Sequence, residues 1–125
     1  METGKLMKQV AIYCRYATTS ADAAFNQELH LLDTVEKHSD WNLYGKYYDC
    51  GVSGNRARRI ALQQFLNDAK TSKFDILLVE SPSRFYRNTE KTIKTIKQIQ
   101  NLGVRVVFCD GSDADAVIRF YEAFA

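Results

Sequence analysis

The sequence lacks several features that would assign it to a class at once. No apolar run approaches the length that spans a bilayer, and the N-terminal METGKLMKQV has no signal-peptide core. The three cysteines, Cys14, Cys50 and Cys109, form no C-x-x-C pair, which disfavours a disulfide framework and a zinc site. The formal net charge of +2 is too small to indicate a nucleic-acid partner by itself. We therefore expect a cytoplasmic protein without a membrane segment or a bound metal.

The sequence also has little proline and no glycine-rich nucleotide-binding motif. Pro82 is the only proline, and there is no internal repeat or low-complexity tract, so we expect no linker within the chain. A length of 125 residues fits one domain with one core. No G-x-G-x-x-G or G-x-x-x-x-G-K-[ST] motif is present, which gives a nucleotide cofactor little support.

Four short apolar runs are rich in β-branched and aromatic residues, and each predicts a strand: 10–14, 43–48, 74–79 and 104–109. The segments between them have apolar residues at helical spacing. These residues are Phe25, Leu29 and Leu32 in the first segment, Leu62, Phe65, Leu66 and Ala69 in the second, and Ile93, Ile96 and Ile99 in the third. Gly103 marks the predicted end of the third helix. The alternation predicts an α/β fold, with a mainly parallel sheet of four to five strands and helices on both faces.

The last segment, residues 113–125, predicts a helix with an apolar face. Ala116, Val117, Phe120, Tyr121 and Phe124 lie on one side of it. This face could close the core of the domain, or it could belong to a partner-binding helix that is cut short.

Arginines are concentrated where the predicted strands end. Six of the eight arginines follow the first three strands: Arg15, Arg56, Arg58, Arg59, Arg84 and Arg87. Ligands of open α/β sheets bind at the carboxyl ends of the strands, and arginine is suited to bidentate contact with phosphate. A lone arginine is most often a solvated surface charge, and this reading stays open for Arg56 and Arg58. The set as a whole predicts a phosphate-binding edge.

Four motifs, in order and at matching separations, carry a family resemblance: AIYCRYAT, DCGVSG, RIALQQFLNDAKTSKFDILLVE and SRFYRN. Across residues 9–110 they resemble the catalytic domain of the serine recombinases, which include resolvases, invertases, large integrases and transposases. The resemblance implies cleavage and rejoining of double-stranded DNA through a 5′-phosphoserine link, without metal, ATP or another cofactor. It also implies homodimers that pair into tetramers.

The resemblance also implies roles for individual residues. Tyr13 and Arg15 match the tyrosine and arginine of a Y-x-R-x-S motif, and Arg59 matches the arginine that opens the second helix. Arg84 and Arg87 match an R-x-x-R pair, Asp49 matches an acidic residue beside the site, and Gln27 matches a polar residue of the first helix. Core packing for Tyr13 and surface capping for Gln27 are equally acceptable readings.

Two positions depart from the family pattern. Ser83 stands where many members have aspartate, although large members often have S-R-F there. Ala17 occupies the position of the nucleophilic serine, and a methyl group cannot attack phosphorus. We therefore expect this form to be catalytically inactive, with Thr18 and Ser20 poor substitutes. Either an engineered change or natural decay accounts for Ala17.

The sequence is compatible with three functions. The first is a recombinase catalytic domain, inactive through Ala17; the second is a non-catalytic DNA-binding or regulatory relative; the third is an unrelated phosphate-binding enzyme, which lacks its motifs here. The organisation expected from the resemblance is a catalytic domain over residues 1–112 and the start of a truncated interface helix over residues 113–125, with the DNA-binding domain absent.

Overall fold

The computed structural model describes residues 6–16, 21–50, 59–71 and 73–124. Strands and helices alternate along the chain. The strands are β1 (Lys8–Tyr16), β2 (Trp41–Cys50), β3 (Ile76–Val79) and β4 (Arg105–Phe108). The helices are α1 (Ala21–Glu36), α2 (Ile60–Asp68), α3 (Thr89–Asn101) and α4 (Ala114–Ala123), and a short 3-10 helix (Pro82–Arg84) lies between β3 and α3.

The described strands form one parallel sheet in the order β2-β1-β3-β4. This confirms the predicted α/β fold, with four strands in the part of the chain that the structure describes. The chain runs outward from β1 to β2, returns past β1 to β3, and continues to β4. Because crossovers are right-handed, this reversal places α1 on one face of the sheet and the following helices on the other. It also leaves a crevice between the carboxyl ends of β1 and β3, where open α/β sheets bind ligands.

Each face of the sheet carries its own apolar core, because successive side chains of a strand point to opposite faces. On one face, Val10, Ile12 and Cys14 of β1 pack with Leu31 and Val35 of α1. The opposite core combines residues of β1, β3 and β4 with those of α2, α3 and α4, among them Ala11, Tyr13, Leu77, Val79, Val106, Leu62, Phe65, Ile93, Ile96 and Ile118. Helices on both faces are thereby confirmed.

The face of α1 that packs on the sheet differs from the predicted one. Phe25 is 60% exposed and Leu29 is 46% exposed. Among the described side chains of α1, the buried ones are Gln27, Leu31 and Val35, which are spaced at i, i+4 and i+8. The prediction was wrong for Phe25 and Leu29, whereas Leu32, the third residue of the predicted set, packs against the core on this face of the sheet. The polar residue Gln27 occupies one core-facing position, where the backbone of β1 satisfies its amide.

The apolar stripe of α4 divides between the core and the surface. Ile118 is buried, and Val117 and Tyr121 pack against the core that α2 and α3 share. Phe120 and Phe124 are 70% and 77% exposed, and their ring centroids lie 5.0 Å apart. The core-closing reading therefore holds for one side of this stripe, while the other side leaves apolar surface exposed. The partner-helix reading stays a prediction.

Candidate active site at the carboxyl edge of the sheet

The ends of the first three strands bring the predicted site residues together. Arg15 lies beside Asp49 in the register of β1 and β2. Pairing of β1 with β3 stops earlier, at Tyr13 and Val79, so the last residues of β1 have no β3 neighbour. The chain after β3 turns through the 3-10 helix and contacts this open side of β1. This contact lies at the crevice between β1 and β3, where the order of the strands in the sheet reverses.

Arg15 and Arg84 hold each other's backbone across this crevice. Arg15 is 3% exposed; its Nε donates to the Arg84 carbonyl oxygen at 2.9 Å and its Nη2 to the Ser83 carbonyl oxygen at 2.8 Å. In return, Arg84 Nη1 donates to the Arg15 carbonyl oxygen at 3.0 Å. The two guanidinium groups are therefore placed at one edge by the same set of hydrogen bonds, as the sequence predicts.

Gln27 fixes the backbone of Arg15 from the α1 side. Its Oε1 accepts from the Arg15 amide N–H at 3.2 Å and its Nε2 donates to the Arg15 carbonyl oxygen at 3.2 Å. The side chain thus forms the pair of bonds that a neighbouring strand would form, on a residue that β3 no longer reaches. Gln27 is buried, at 4% exposure, which the surface-capping reading does not fit.

Tyr13, Asp49 and the start of α2 form a second buried network. The Tyr13 hydroxyl donates to Asp49 Oδ2 at 2.7 Å. The Ala61 amide donates to Asp49 Oδ1 at 2.8 Å, and the Leu62 amide donates to Asp49 Oδ2 at 3.2 Å. The first amides of a helix have no partner within the helix, and the side chain of the N-cap, Arg59, forms no capping bond. Asp49 caps α2 from β2 instead.

Arg59 lies at the N-terminus of α2 and is 2% exposed. Its guanidinium carbon lies 4.4 Å from the centroid of the Tyr86 ring, within the range of a cation–π contact. Its Nη1 lies 3.5 Å from the Arg84 carbonyl oxygen. Capping of α2 by Asp49 therefore fixes the backbone near Arg59, and the ring of Tyr86 contacts its guanidinium group.

Arg84 and Arg87 follow β3 on either side of a buried anchor. Phe85 is fully buried, with ring centroids 5.9 Å from Tyr13 and 6.1 Å from Phe108. The Arg84 side chain is 33% exposed, and its Nε donates to Glu80 Oε1 at 3.1 Å. Arg87 is exposed and has no hydrogen bond or ion pair with another described residue. Its contribution to the edge is charge directed at solvent.

The electrostatics of the edge follow from this crowding. Burial lowers the pKa of the Arg15 guanidinium, and the positive charges of Arg59, Arg84 and Arg87 lower it further. Arginine nevertheless stays protonated in proteins, so these four cations raise the local potential together. Burial, followed by the hydrogen bond to Asp49, raises the pKa of Tyr13 well above its usual value. Tyr13 therefore stays a donor to Asp49 across the physiological pH range.

Some predicted positions lie outside the described residues. These are Ala17 with its neighbours Thr18 and Ser20, and the positions Gly51, Gly54, Arg56 and Arg58. Tyr13, Arg15, Gln27, Asp49, Arg59 and Arg84 are joined by the contacts above. Their roles in catalysis remain predictions.

Two residues at the edge were missed by the sequence analysis. Glu80 is the first residue after β3 and pairs with Arg84. Tyr86 lies within the SRFYRN motif and contacts Arg59. The position of Glu80 directly after a continuous apolar run is a signal that could have identified it, whereas nothing in the sequence pairs Tyr86 with Arg59.

Neither a cluster of metal ligands nor a membrane-spanning helix is present in the described part of the chain. No three His, Cys, Asp or Glu side chains within residues 6–16, 21–50, 59–71 and 73–124 gather as metal ligands. In the same ranges, no helix combines the length and the apolar character needed to cross a bilayer.

The described strands and helices define a parallel α/β domain whose strand order reverses at β1, and solved structures share this fold. The N-terminal catalytic domain of TP901-1 integrase has 25% sequence identity and a TM-score of 0.83, covering 94% of this chain and 93% of that chain. A resolvase family site-specific recombinase from Streptococcus pneumoniae has 26% identity and a TM-score of 0.80, covering 94% and 85%. A serine recombinase from Sulfolobus solfataricus, with 19% identity, a TM-score of 0.66 and coverage of 94% and 79%, shares the fold. No curated protein sequence matches the chain significantly.

The family is shown by the sequence itself. The family model described as Resolvase, N terminal domain, matches residues 10–124. The chain belongs to the resolvase family and is a serine recombinase catalytic domain by family and fold.

Proposed function

We propose that this chain is the catalytic domain of a DNA recombinase whose cationic crevice binds the scissile phosphate, and that Ala17 prevents cleavage in the form present here. The observation that carries the proposal is the reciprocal contact of Arg15 and Arg84, which places two guanidinium groups at one crevice beside Arg59. Arginine binds phosphate oxygens through paired N–H groups and keeps its charge near other cations.

The chemistry proposed for a form with serine at position 17 is a phosphoryl transfer. The serine oxygen forms a bond to phosphorus while the bond from phosphorus to the O3′ atom breaks. The serine hydroxyl loses its proton and the departing O3′ gains one, which leaves a 5′-phosphoseryl link and a free 3′-hydroxyl. Rejoining reverses these steps on an exchanged end. Negative charge grows on the phosphoryl oxygens in the transition state, and fixed cations stabilise it.

The buried networks support this proposal by keeping the crevice rigid. Asp49 caps α2, which starts beside Arg59, and Gln27 holds the backbone of Arg15. Electrostatic catalysis depends on charges that are in place before the reaction, because reorganising them costs free energy. Asp49 and Gln27 meet this requirement, because each is buried and both polar atoms at the end of its side chain form hydrogen bonds.

A non-catalytic DNA-binding relative is the second candidate, and Ala17 is the residue that favours it. Both candidates predict that this chain binds DNA through backbone phosphates, with weak sequence preference and strong salt dependence. They differ when a hydroxyl is restored at position 17.

The test is adduct formation by the Ala17→Ser variant, made in this chain and in its full-length parent. A labelled duplex with a nick beside the scissile phosphate is incubated with each protein, and covalent complexes are separated on denaturing gels. We expect a shifted band for Ala17→Ser, none for the unchanged chain, and little for Ala17→Thr, because the extra methyl group crowds the arginines. Absence of an adduct from Ala17→Ser in a folded full-length protein would favour the non-catalytic candidate.

We also propose that the exposed side of α4 contributes to assembly with a second copy. Recombination joins two duplexes and cuts both strands of each, so it requires four active sites. Phe120 in α4 and Phe124 directly after it are exposed aromatic residues, and burial of such surface against another copy is favourable.

A further inference from the structure

Glu80 is held in a fixed position at the mouth of the crevice. The Asp110 amide donates to the Glu80 carbonyl oxygen at 3.0 Å, and the Cys109 amide donates to the Val79 carbonyl oxygen at 3.0 Å. These bonds to the chain after β4 fix the backbone from which the Glu80 side chain extends. The side chain itself is only 26% exposed.

The carboxylate of Glu80 lies between a candidate phosphate ligand and α1. Its Oε1 accepts from Arg84 Nε at 3.1 Å, and its Oε2 lies 3.5 Å from His30 Nδ1. Arg84 Nη1 is already bonded to the Arg15 carbonyl oxygen. A phosphate that approaches Arg84 side-on needs Nε together with Nη2, since bidentate binding uses two adjacent N–H groups. Glu80 Oε1 therefore already accepts from Arg84 Nε, one of the two donors that such a phosphate would use.

We propose that Glu80 is an internal competitor for phosphate at Arg84. In the DNA-free protein, Glu80 neutralises Arg84 and weakens the attraction of the crevice for DNA. When a backbone phosphate binds, its oxygen replaces Glu80 Oε1 at Arg84 Nε. This inference rests on the proposed function of the crevice and adds a regulating residue that lies outside the arginine set.

The size of the effect follows from the exposure of the pair. With side chains 33% and 26% exposed, the ion pair is partly screened by water. Ion pairs of this kind are worth about 0.2 to 1 kcal/mol, which corresponds to about a 1.4- to 5-fold change in an equilibrium constant. Removal of the carboxylate should therefore tighten DNA binding by about 1.4- to 5-fold, most clearly at low salt.

The experiment measures the dissociation constant for a fluorescently labelled DNA duplex by anisotropy, using the chain as it is. Glu80→Gln removes the competing charge and keeps the size of the side chain. Glu90→Gln is the matched control, because it removes the same charge from an exposed glutamate that pairs with Lys94 on α3. We expect Glu80→Gln to bind more tightly than Glu90→Gln. Equal dissociation constants for the two variants, or weaker binding by Glu80→Gln, would overturn the proposal.

A double substitution separates this proposal from the proposed function. In an Arg84→Ala background, Glu80→Gln should no longer tighten binding, because the competed donor is gone. A gain that persists without Arg84 overturns the competitor role. If Arg84→Ala weakens binding while Glu80→Gln has no effect, only the role of Glu80 is refuted. If Arg84→Ala leaves binding unchanged in a folded protein, the phosphate-binding function of the crevice fails and the role of Glu80 fails with it.

Discussion

Replacement of Asp49 by asparagine tests whether β2 caps α2 and thereby fixes Arg59. The carboxylate is 5% exposed and accepts three hydrogen bonds, from the Tyr13 hydroxyl and from the amides of Ala61 and Leu62. Asparagine has one acceptor oxygen, so at least one of these donors would face an NH₂ group. Each hydrogen bond to a charged group contributes about 1.5 to 3 kcal/mol, and a buried donor without an acceptor costs about 1 to 3 kcal/mol. We expect a loss of about 2 to 4 kcal/mol in the free energy of unfolding.

The measurement is urea denaturation followed by circular dichroism, and the chain offers a matched control. Asp68 Oδ2 accepts from the Tyr47 hydroxyl at 2.7 Å, the same distance as in the Tyr13 pair, but it is part-buried and receives no backbone amide of a described residue. The oxygen of asparagine can accept that single bond, so Asp68→Asn should cost no more than about 1 kcal/mol. The Asp49→Asn midpoint should fall by on the order of 1 M urea or more. Equal losses for the two variants would refute capping by Asp49.

Three further predictions follow from burial and exposure. Phe85→Ala should lower the free energy of unfolding by about 3 to 5 kcal/mol, seen as a lower melting temperature, because the ring is fully buried; a loss under about 1 kcal/mol would contradict its role as an anchor. Burial raises the pKa of Cys14 to about 12, so at pH 8 the thiol stays protonated and should resist alkylation, while exposed Cys50 reacts; mass spectrometry of the alkylated peptides compares them. The chain should self-associate weakly at most, and Phe120→Ser with Phe124→Ser should reduce this association in light scattering without loss of stability; a tight dimer at nanomolar concentration would show that another surface holds the copies together.

The strands and their order of alternation could be predicted because strand residues pack between two helical layers. The apolar runs 10–14 and 43–48 identify β1 and β2, although both strands extend two residues further at each end, to Lys8–Tyr16 and Trp41–Cys50. Apart from Cys50, the extra residues are polar or aromatic, and they carry no alternation signal. The end of α3 was predicted from Gly103, which has a φ of 83° that favours glycine.

The convergence of Arg15, Asp49 and Arg84 at one edge could also be predicted, because parallel strands end at the same side of a sheet. Their bonding partners could not. Arg15 binds backbone carbonyl oxygens and Asp49 binds backbone amides, and these groups are present at nearly every residue. The prediction of which α1 residues face the sheet failed for a related reason. Hydrogen bonds with the backbone of Arg15 allow the polar side chain of Gln27 to occupy a core position.

The most direct test of the proposed chemistry is to locate the DNA on the protein. The covalent complex of the Ala17→Ser variant with a nicked duplex is digested with protease and nuclease, and the modified peptide is sequenced by tandem mass spectrometry. The proposed function predicts a 5′-phosphodeoxynucleotide on the residue at position 17, and no modified peptide from the unchanged chain. A phosphoryl group on Thr18, Ser20 or Ser83, or an adduct formed by the unchanged chain, would contradict the assignment of position 17 as the nucleophile.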